Sequence, residues 1–207
     1  MTWSNLGFFV AVCGIDGSGK TTQVGFLESK LAERGEVVRT RQPTDLYRQD
    51  PVVRTVLDME QDDESVLPEI GLLAAFDRYR HVREVVKPAL RAGKAVVTDR
   101  YVYTGFAYMM ARGMTVEWLT TIYQYLPAPD LTIFLDVPPE LAIERIIMRD
   151  GSSKKREELD LDRMRAVRDN FLTHPWGDVN YHVLDGTAPQ EEVRAGINKL
   201  VDAFDPR

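Results

Sequence analysis

The sequence predicts a three-layer α/β fold, a five-stranded parallel sheet with helices on both faces. Three observations carry that prediction. Short apolar runs alternate with longer helical runs along the chain, the signature of strand–crossover–strand units. Several of the apolar runs are continuous rather than alternating, as strands covered on both faces must be. A glycine-rich loop, Gly14-Ile15-Asp16-Gly17-Ser18-Gly19-Lys20-Thr21, joins the first apolar run to the first helical one.

The first strand is Phe8–Cys13. The helix Lys20–Arg34 follows, with Val24, Leu27 and Leu31 on one face and Gly35 as its stop. Val37–Thr40 is the second strand. Glu64–Ala92 reads as one long helical region ending at Gly93. Pro68 suits its first turn, and Pro88, deep inside, predicts a kink. Ala95–Thr98 is the third strand, and Tyr101–Arg112 is a helix stopped by Gly113. Thr115–Tyr125 stops before Pro127, and Leu131–Asp136 is the fourth strand. Pro138 and Pro139 fit the first turn of a helix running to Arg149. Glu157–Leu172, the strand Val179–Leu184 and the helix Pro189–Phe204 complete the series. Asp62-Asp63-Glu64 and Glu191-Glu192 read as acidic helix starts favoured by the helix dipole.

The 207 residues are 44% hydrophobic and 28% charged, enough to bury a full core. Length predicts a single domain over residues 1–207 with a small mobile cap. A formal charge of −6 disfavours a nucleic-acid partner. No apolar run reaches the roughly 18 residues of a membrane span, and the first residues lack a basic n-region. The lone Cys13 excludes an internal disulfide and reads as a small buried hydrophobe. These features predict a cytoplasmic protein with neither nucleic acid nor membrane as partner.

The loop fits G-x-x-x-x-G-K-[ST] at every fixed position. Its glycines let successive N–H groups turn inward as an anion nest, and the following helix start adds positive potential. Gly14, Gly17, Ser18, Gly19 and Thr22 belong to that cradle. Lys20 would reach the β/γ-phosphates, and the Thr21 hydroxyl would sit on Mg²⁺. The fold class is therefore a P-loop NTPase fold, with a nucleoside triphosphate and Mg²⁺ as the expected ligands, the letters leaving adenine and guanine both open. Asp99, at the carboxyl end of the third strand, can hold the metal or its water. Arg100 beside it can bind an acceptor phosphate. Arg41, after the second strand, is a second anion ligand in reach of the cleft. Arg78 could reach inward from the long helix, while Asp77 reads as solvated and His81 as structural. The polar, charged run at 150–158 reads as a lid bringing positive charge over the phosphate donor.

These pieces, in this order, resemble the thymidylate kinase family of P-loop nucleoside-monophosphate kinases. Residues Ile15–Gln23 resemble its phosphate loop nearly letter for letter. Thr40-Arg41-Gln42-Pro43 resembles its T-R-E-P segment, and Asp77-Arg78 its helix D-R. Asp99-Arg100-Tyr101 with Thr104, Ala107 and Tyr108 resembles its D-R-Y-x-x-[ST]-x-x-A-Y. The resemblance implies ATP-dependent phosphorylation of a deoxynucleoside monophosphate, with dTMP the first candidate, and a homodimer. It implies that Asp16 faces the acceptor's sugar hydroxyl, and that Arg41, Arg78 and Arg100 hold its phosphate. It further implies that Tyr108 packs on the sugar, and that Pro43, Ala74 and Thr104 line the acceptor site. Arg145 or Arg149 would lie by the donor base with the loop Asp185–Ala188. The catalytic set is then Lys20, Asp16 and Arg100, with Arg149 and Arg156 as cations of the lid. Members lacking an arginine inside the phosphate loop, where this chain has Gly17, take it from the lid.

The chain departs from the family pattern around the acceptor base. Ala74 stands where a phenylalanine stacks on thymine, Gly105 where a polar residue is frequent, and Met109 where glutamine is usual. Gln42 replaces the T-R-E-P glutamate, and Thr44-Asp45 the glycine pair after it. An aromatic stack contributes about 1 kcal/mol. A kinase acting on a modified nucleotide or a non-nucleotide metabolite is therefore the alternative, and a nucleotide-binding switch with little turnover is a third.

Overall fold

The computed structural model describes residues 7–58, 65–150, 160–173 and 180–205. Strands β1 (Phe9–Cys13), β2 (Val37–Arg41), β3 (Ala95–Asp99), β4 (Leu131–Asp136) and β5 (Tyr181–Asp185) form one parallel sheet in the order β2-β3-β1-β4-β5. Phe8, Val10 and Val12 face one side of the sheet and Phe9, Ala11 and Cys13 the other, all buried. That is why the first apolar run is continuous: with both faces covered, period-two alternation no longer separates apolar from polar. Burial pushes the Cys13 thiol up to about 11, which suits an inert core residue.

α1 (Lys20–Ala32) and α10 (Gln190–Phe204) cover the first face, with Leu27, Leu31 and Ile197 packed among Val10, Val97 and Ile133. α4 (Leu67–His81), α6 (Val102–Met110) and α9 (Leu161–Thr173) cover the second. There Phe134 stacks on Phe171 at 4.7 Å, and Phe9 meets Tyr101 edge-on at 5.1 Å. Each such ring contributes roughly 1.5–3 kcal/mol by burial. Because all strands run the same way, the loops after β1 and β3 open side by side at the carboxyl edge, where this architecture binds ligands. Val12 and Asp99 are direct partners across the β1–β3 ladder.

The long helical region is divided. α4 ends at His81, a π-helical turn spans Val82–Val86, and α5 (Lys87–Arg91) follows. Pro88 lacks the N–H for an i−4 bond, and its ring crowds the carbonyl four residues back. The Lys87 N–H instead reaches the Val82 carbonyl, which widens the turn ahead of the proline. Two helices go beyond the sequence expectation, α2 (Asp45–Arg48) and α3 (Pro51–Asp58). Their starts are well made. Thr44 accepts the Leu46 N–H, and Asp50 accepts those of Val52 at 2.9 Å and Val53 at 3.2 Å ahead of Pro51. α7 (Val116–Tyr123) is capped by Thr115, and α8 is Pro139–Asp150. The acidic run at 62–64, Val179 and the predicted lid from 151 to 158, with Lys154, Lys155 and Arg156, lie outside the described residues. Among the described residues no helix is long and apolar enough to cross a membrane.

Candidate active site

The loop between β1 and α1 is shaped by its glycines. Gly17 (φ 80°) and Gly19 (φ 87°) take the left-handed conformation, which costs a side-chain-bearing residue about 1–2 kcal/mol. A Cβ on Gly17 would also lie 2.3 Å from the Ala142 carbonyl oxygen. The loop therefore has no place for an arginine there. Lys20 is buried and donates to the Ile15 carbonyl at 2.6 Å. Burial pushes its ammonium down to about 8, with repulsion from Arg100 adding and Asp16 and Asp99 opposing. Thr21 and Thr22 are exposed on the first turn of α1.

Two strand-end carboxylates contrast. Asp136 at the end of β4 is neutralised by a bidentate pair with Arg168 at 2.6 and 2.8 Å. Asp99 at the end of β3 has a buried Oδ1 with no hydrogen-bond partner among the described residues. An unsatisfied buried acceptor beside a phosphate loop suits a cation or its water. Thr21 and Asp99 thus fit Mg²⁺, which when bound neutralises charge on the β- and γ-phosphate oxygens.

Arg100 comes next, and its backbone is left-handed at φ 66°. Such strain persists only where surroundings impose it. Here the Arg100 N–H donates to Val12 at 2.9 Å, and Thr98 Oγ1 donates to the Arg100 carbonyl at 2.8 Å. The side chain is thereby aimed at the loop. Nη2 donates to Asp16 Oδ1 at 2.6 Å, Nη1 donates to the Gly14 carbonyl at 3.3 Å, and the guanidinium lies over the Tyr108 ring at 5.4 Å. Tyr108 also donates to Asp16 Oδ2 at 3.3 Å. Enclosure of Asp16 opposes its ionisation, but the charges of Arg100 and Lys20 and these two hydrogen bonds outweigh it and hold the carboxyl well below its usual range.

A cavity of about 180 Å³ opens beside this pair. Asp16, Pro43, Ala74, Arg78, Arg100, Thr104 and Tyr108 all line it. Arg41 does not: its guanidinium is half-exposed and tied to Asp45 at 2.6 Å, since the helix start at Asp45 sets a carboxylate one turn from it. Arg48, Arg54, Arg112 and Arg163 line the cavity instead. Arg48 and Arg54 stand on the two helices absent from the sequence expectation. The Asp50-Pro51 start and the apolar Val53 and Val56 were the available signals for α3. Arg112 and Arg163 lie far apart in the chain, and no local pattern marks them as neighbours.

Asp77 is not solvated but buried, and it accepts from both the backbone N–H and the hydroxyl of Thr44. His81 bonds Thr40 Oγ1 at 2.6 Å and Gln42 Nε2 at 2.8 Å. Together they clamp the segment carrying Pro43 onto α4, one residue from Arg78. Phe76, two positions along α4 from Ala74, is 60% exposed and does not line the cavity. Arg145, expected beside the donor base, donates to the Gly186 carbonyl at 3.1 Å. Arg149 is exposed in the last turn of α8.

A strand–loop–helix anion cradle facing an arginine-lined cavity, with an unsatisfied carboxylate between, defines a P-loop kinase of the nucleotide-phosphorylating class. A family model described as thymidylate kinase matches residues 12–197. The chain is 38% identical over 201 residues to a relative in Pyrococcus abyssi named "probable thymidylate kinase", covering 94% of this chain and 96% of that one. Relatives of the same name in Pyrobaculum aerophilum and Archaeoglobus fulgidus are 37% identical, covering 93% and 94% of this chain and 95% of each relative. The chain belongs to the thymidylate kinase family.

Proposed function

We propose that the protein transfers the γ-phosphoryl group of ATP to dTMP, giving dTDP and ADP. The observation that carries this reading is the Asp16–Arg100 pair, which ties the phosphate loop to the arginine-lined cavity. Lys20 and the loop amides would bind the donor phosphates. Arg100, with the cavity arginines, would hold the acceptor phosphate, and Asp16 would orient the acceptor sugar. Arg149 and Arg156 would supply the covering charge. Transfer between two phosphates needs positioning and charge neutralisation rather than a general base. A homodimer and a cytoplasmic location go with this reading, and Leu72 and Phe76, both exposed on α4, offer an apolar face for pairing.

Ala74 favours a second reading. Its methyl group lines the cavity where an aromatic ring would fill it, which leaves room for an acceptor larger than thymidylate. Measuring ADP release with Mg·ATP across deoxynucleoside and nucleoside monophosphates decides. Fast turnover on dTMP supports the first reading, turnover only on a bulkier acceptor the second, and none on any acceptor refutes both.

A further inference from the structure

Gly105 sits inside α6 and in the wall of the acceptor cavity. Glycine is a poor helix residue, and the close packing of its neighbours accounts for it here. A Cβ there would lie 2.7 Å from Tyr123 Oη and 3.2 Å from Arg78 Nη2. Tyr123, at the end of α7, is 4% exposed, and its hydroxyl has no hydrogen-bond partner among the described residues. The Arg78 guanidinium lies over the Tyr123 ring at 5.5 Å, and its Nη1 donates to the Ala74 carbonyl at 2.9 Å. Phe106 packs on the same tyrosine ring at 5.5 Å. The tyrosine thus fills from behind the volume that a side chain at position 105 would fill from the front, and it supports the arginine from one face.

The cost of this arrangement is visible. A buried hydroxyl without a partner is unfavourable, and a phenylalanine would avoid it. Burial raises the Tyr123 hydroxyl, against the pull of Arg78, so it stays neutral under the guanidinium. A cation over a neutral ring is attracted without being neutralised. Arg78 therefore keeps its full charge for the cavity, which a carboxylate in the same place would cancel.

We propose that Tyr123 is a positioning residue for acceptor recognition: ring and hydroxyl, seated in the space left by Gly105, set the position at which Arg78 meets an acceptor oxygen. The oxygen can belong to the phosphate or to a base carbonyl, since a guanidinium serves either. The inference rests on the cavity being the acceptor site.

The test is a double-mutant cycle with Gly105→Ala and Tyr123→Phe, measured as KM for dTMP, KM for Mg·ATP, kcat and Tm. Overpacking predicts that Gly105→Ala raises the acceptor KM about tenfold. Loss of the hydroxyl volume predicts a rise of about threefold in Tyr123→Phe. In the double variant the new Cβ occupies the vacated space, so its acceptor KM falls below that of Gly105→Ala alone. KM for Mg·ATP moves far less than the acceptor KM throughout. Effects that simply multiply, or that shift both KM values and Tm in parallel, overturn the proposal and leave Tyr123 as ordinary packing. If Gly105→Ala does not fold, Tyr123→Leu must raise the acceptor KM more than Tyr123→Phe, and equal values overturn it. Failure of the wild-type chain to turn over any nucleoside monophosphate refutes the acceptor-site reading itself, and this inference with it.

Discussion

Replacing Asp16 by asparagine removes the carboxylate that holds Arg100 between loop and cavity. Breaking a fully buried ion pair costs about 3–5 kcal/mol because the surviving charge is left unpaired. Arg100 is 9% exposed but Asp16 is 41% exposed, so water reaches the pair and screens it. The asparagine carbonyl also keeps part of the hydrogen bonding. A loss of about 1–2 kcal/mol is the expected result, or a fall in Tm of about 3–6 °C for a chain of this size. The effect depends on pH with a defined sign. The Asp16 carboxyl is held below its ordinary value in the folded state, so its stabilisation is complete well above pH 4 and is lost as pH falls through and below that value. Calorimetric Tm curves of wild type and Asp16→Asn should therefore lie apart at pH 7 and converge toward pH 2. Acceptor KM should rise by at least tenfold, since Arg100 loses its anchor. Equal Tm at pH 7, or a gap that widens in acid, would refute the electrostatic account of the site.

Lys20 is pulled down to about 8 by burial first and Arg100 second, and a polyphosphate beside it restores its proton. Mg·ATP binding at pH 8.5 should take up protons, seen calorimetrically as a dependence on buffer ionisation heat. The uptake should vanish below pH 7 and in Lys20→Met. Gly17→Arg should lose at least 2 kcal/mol and most of its ATP affinity, because a left-handed arginine costs about 1–2 kcal/mol before the Ala142 clash is counted; wild-type values in denaturation and ATP titration would refute this. His81 is held below its ordinary value by burial, with Asp77 and Glu84 opposing. Its contribution is full above pH 6.5 and is lost as pH falls below, so Tm should drop between pH 6.5 and 5 in wild type and less in His81→Gln. Ala74→Phe should change the dTMP KM by no more than about fivefold, as stacking adds on the order of 1 kcal/mol, while excluding larger acceptors; a large rise for dTMP would refute the reading that Ala74 leaves space dTMP does not use.

The cradle was legible because it is contiguous. Gly14–Thr21 carries both its conformation and its chemistry in adjacent letters, and the buried strand before it is apolar on both faces. Asp99 and Arg100 were legible because each follows a recognisable strand end. Arg41 marks the limit of that argument: position after a strand brings a residue to the right edge but does not orient its side chain, which here pairs with Asp45. Asp77 looked like one charge on a polar helix face, and only the approach of Thr44 from another element makes it a buried anchor.

Order along the chain was enough for the sheet, the phosphate cradle and the class of chemistry, since periodicity and loop conformation are short-range properties. Convergence required the packed molecule. Arg54, Arg112 and Arg163 meet around one cavity, Asp99 is left unsatisfied while Asp136 is paired, and Tyr123 comes to stand behind Gly105. These relations are set by how helices seat on the sheet, and side-chain contacts between distant segments have no counterpart in local spacing.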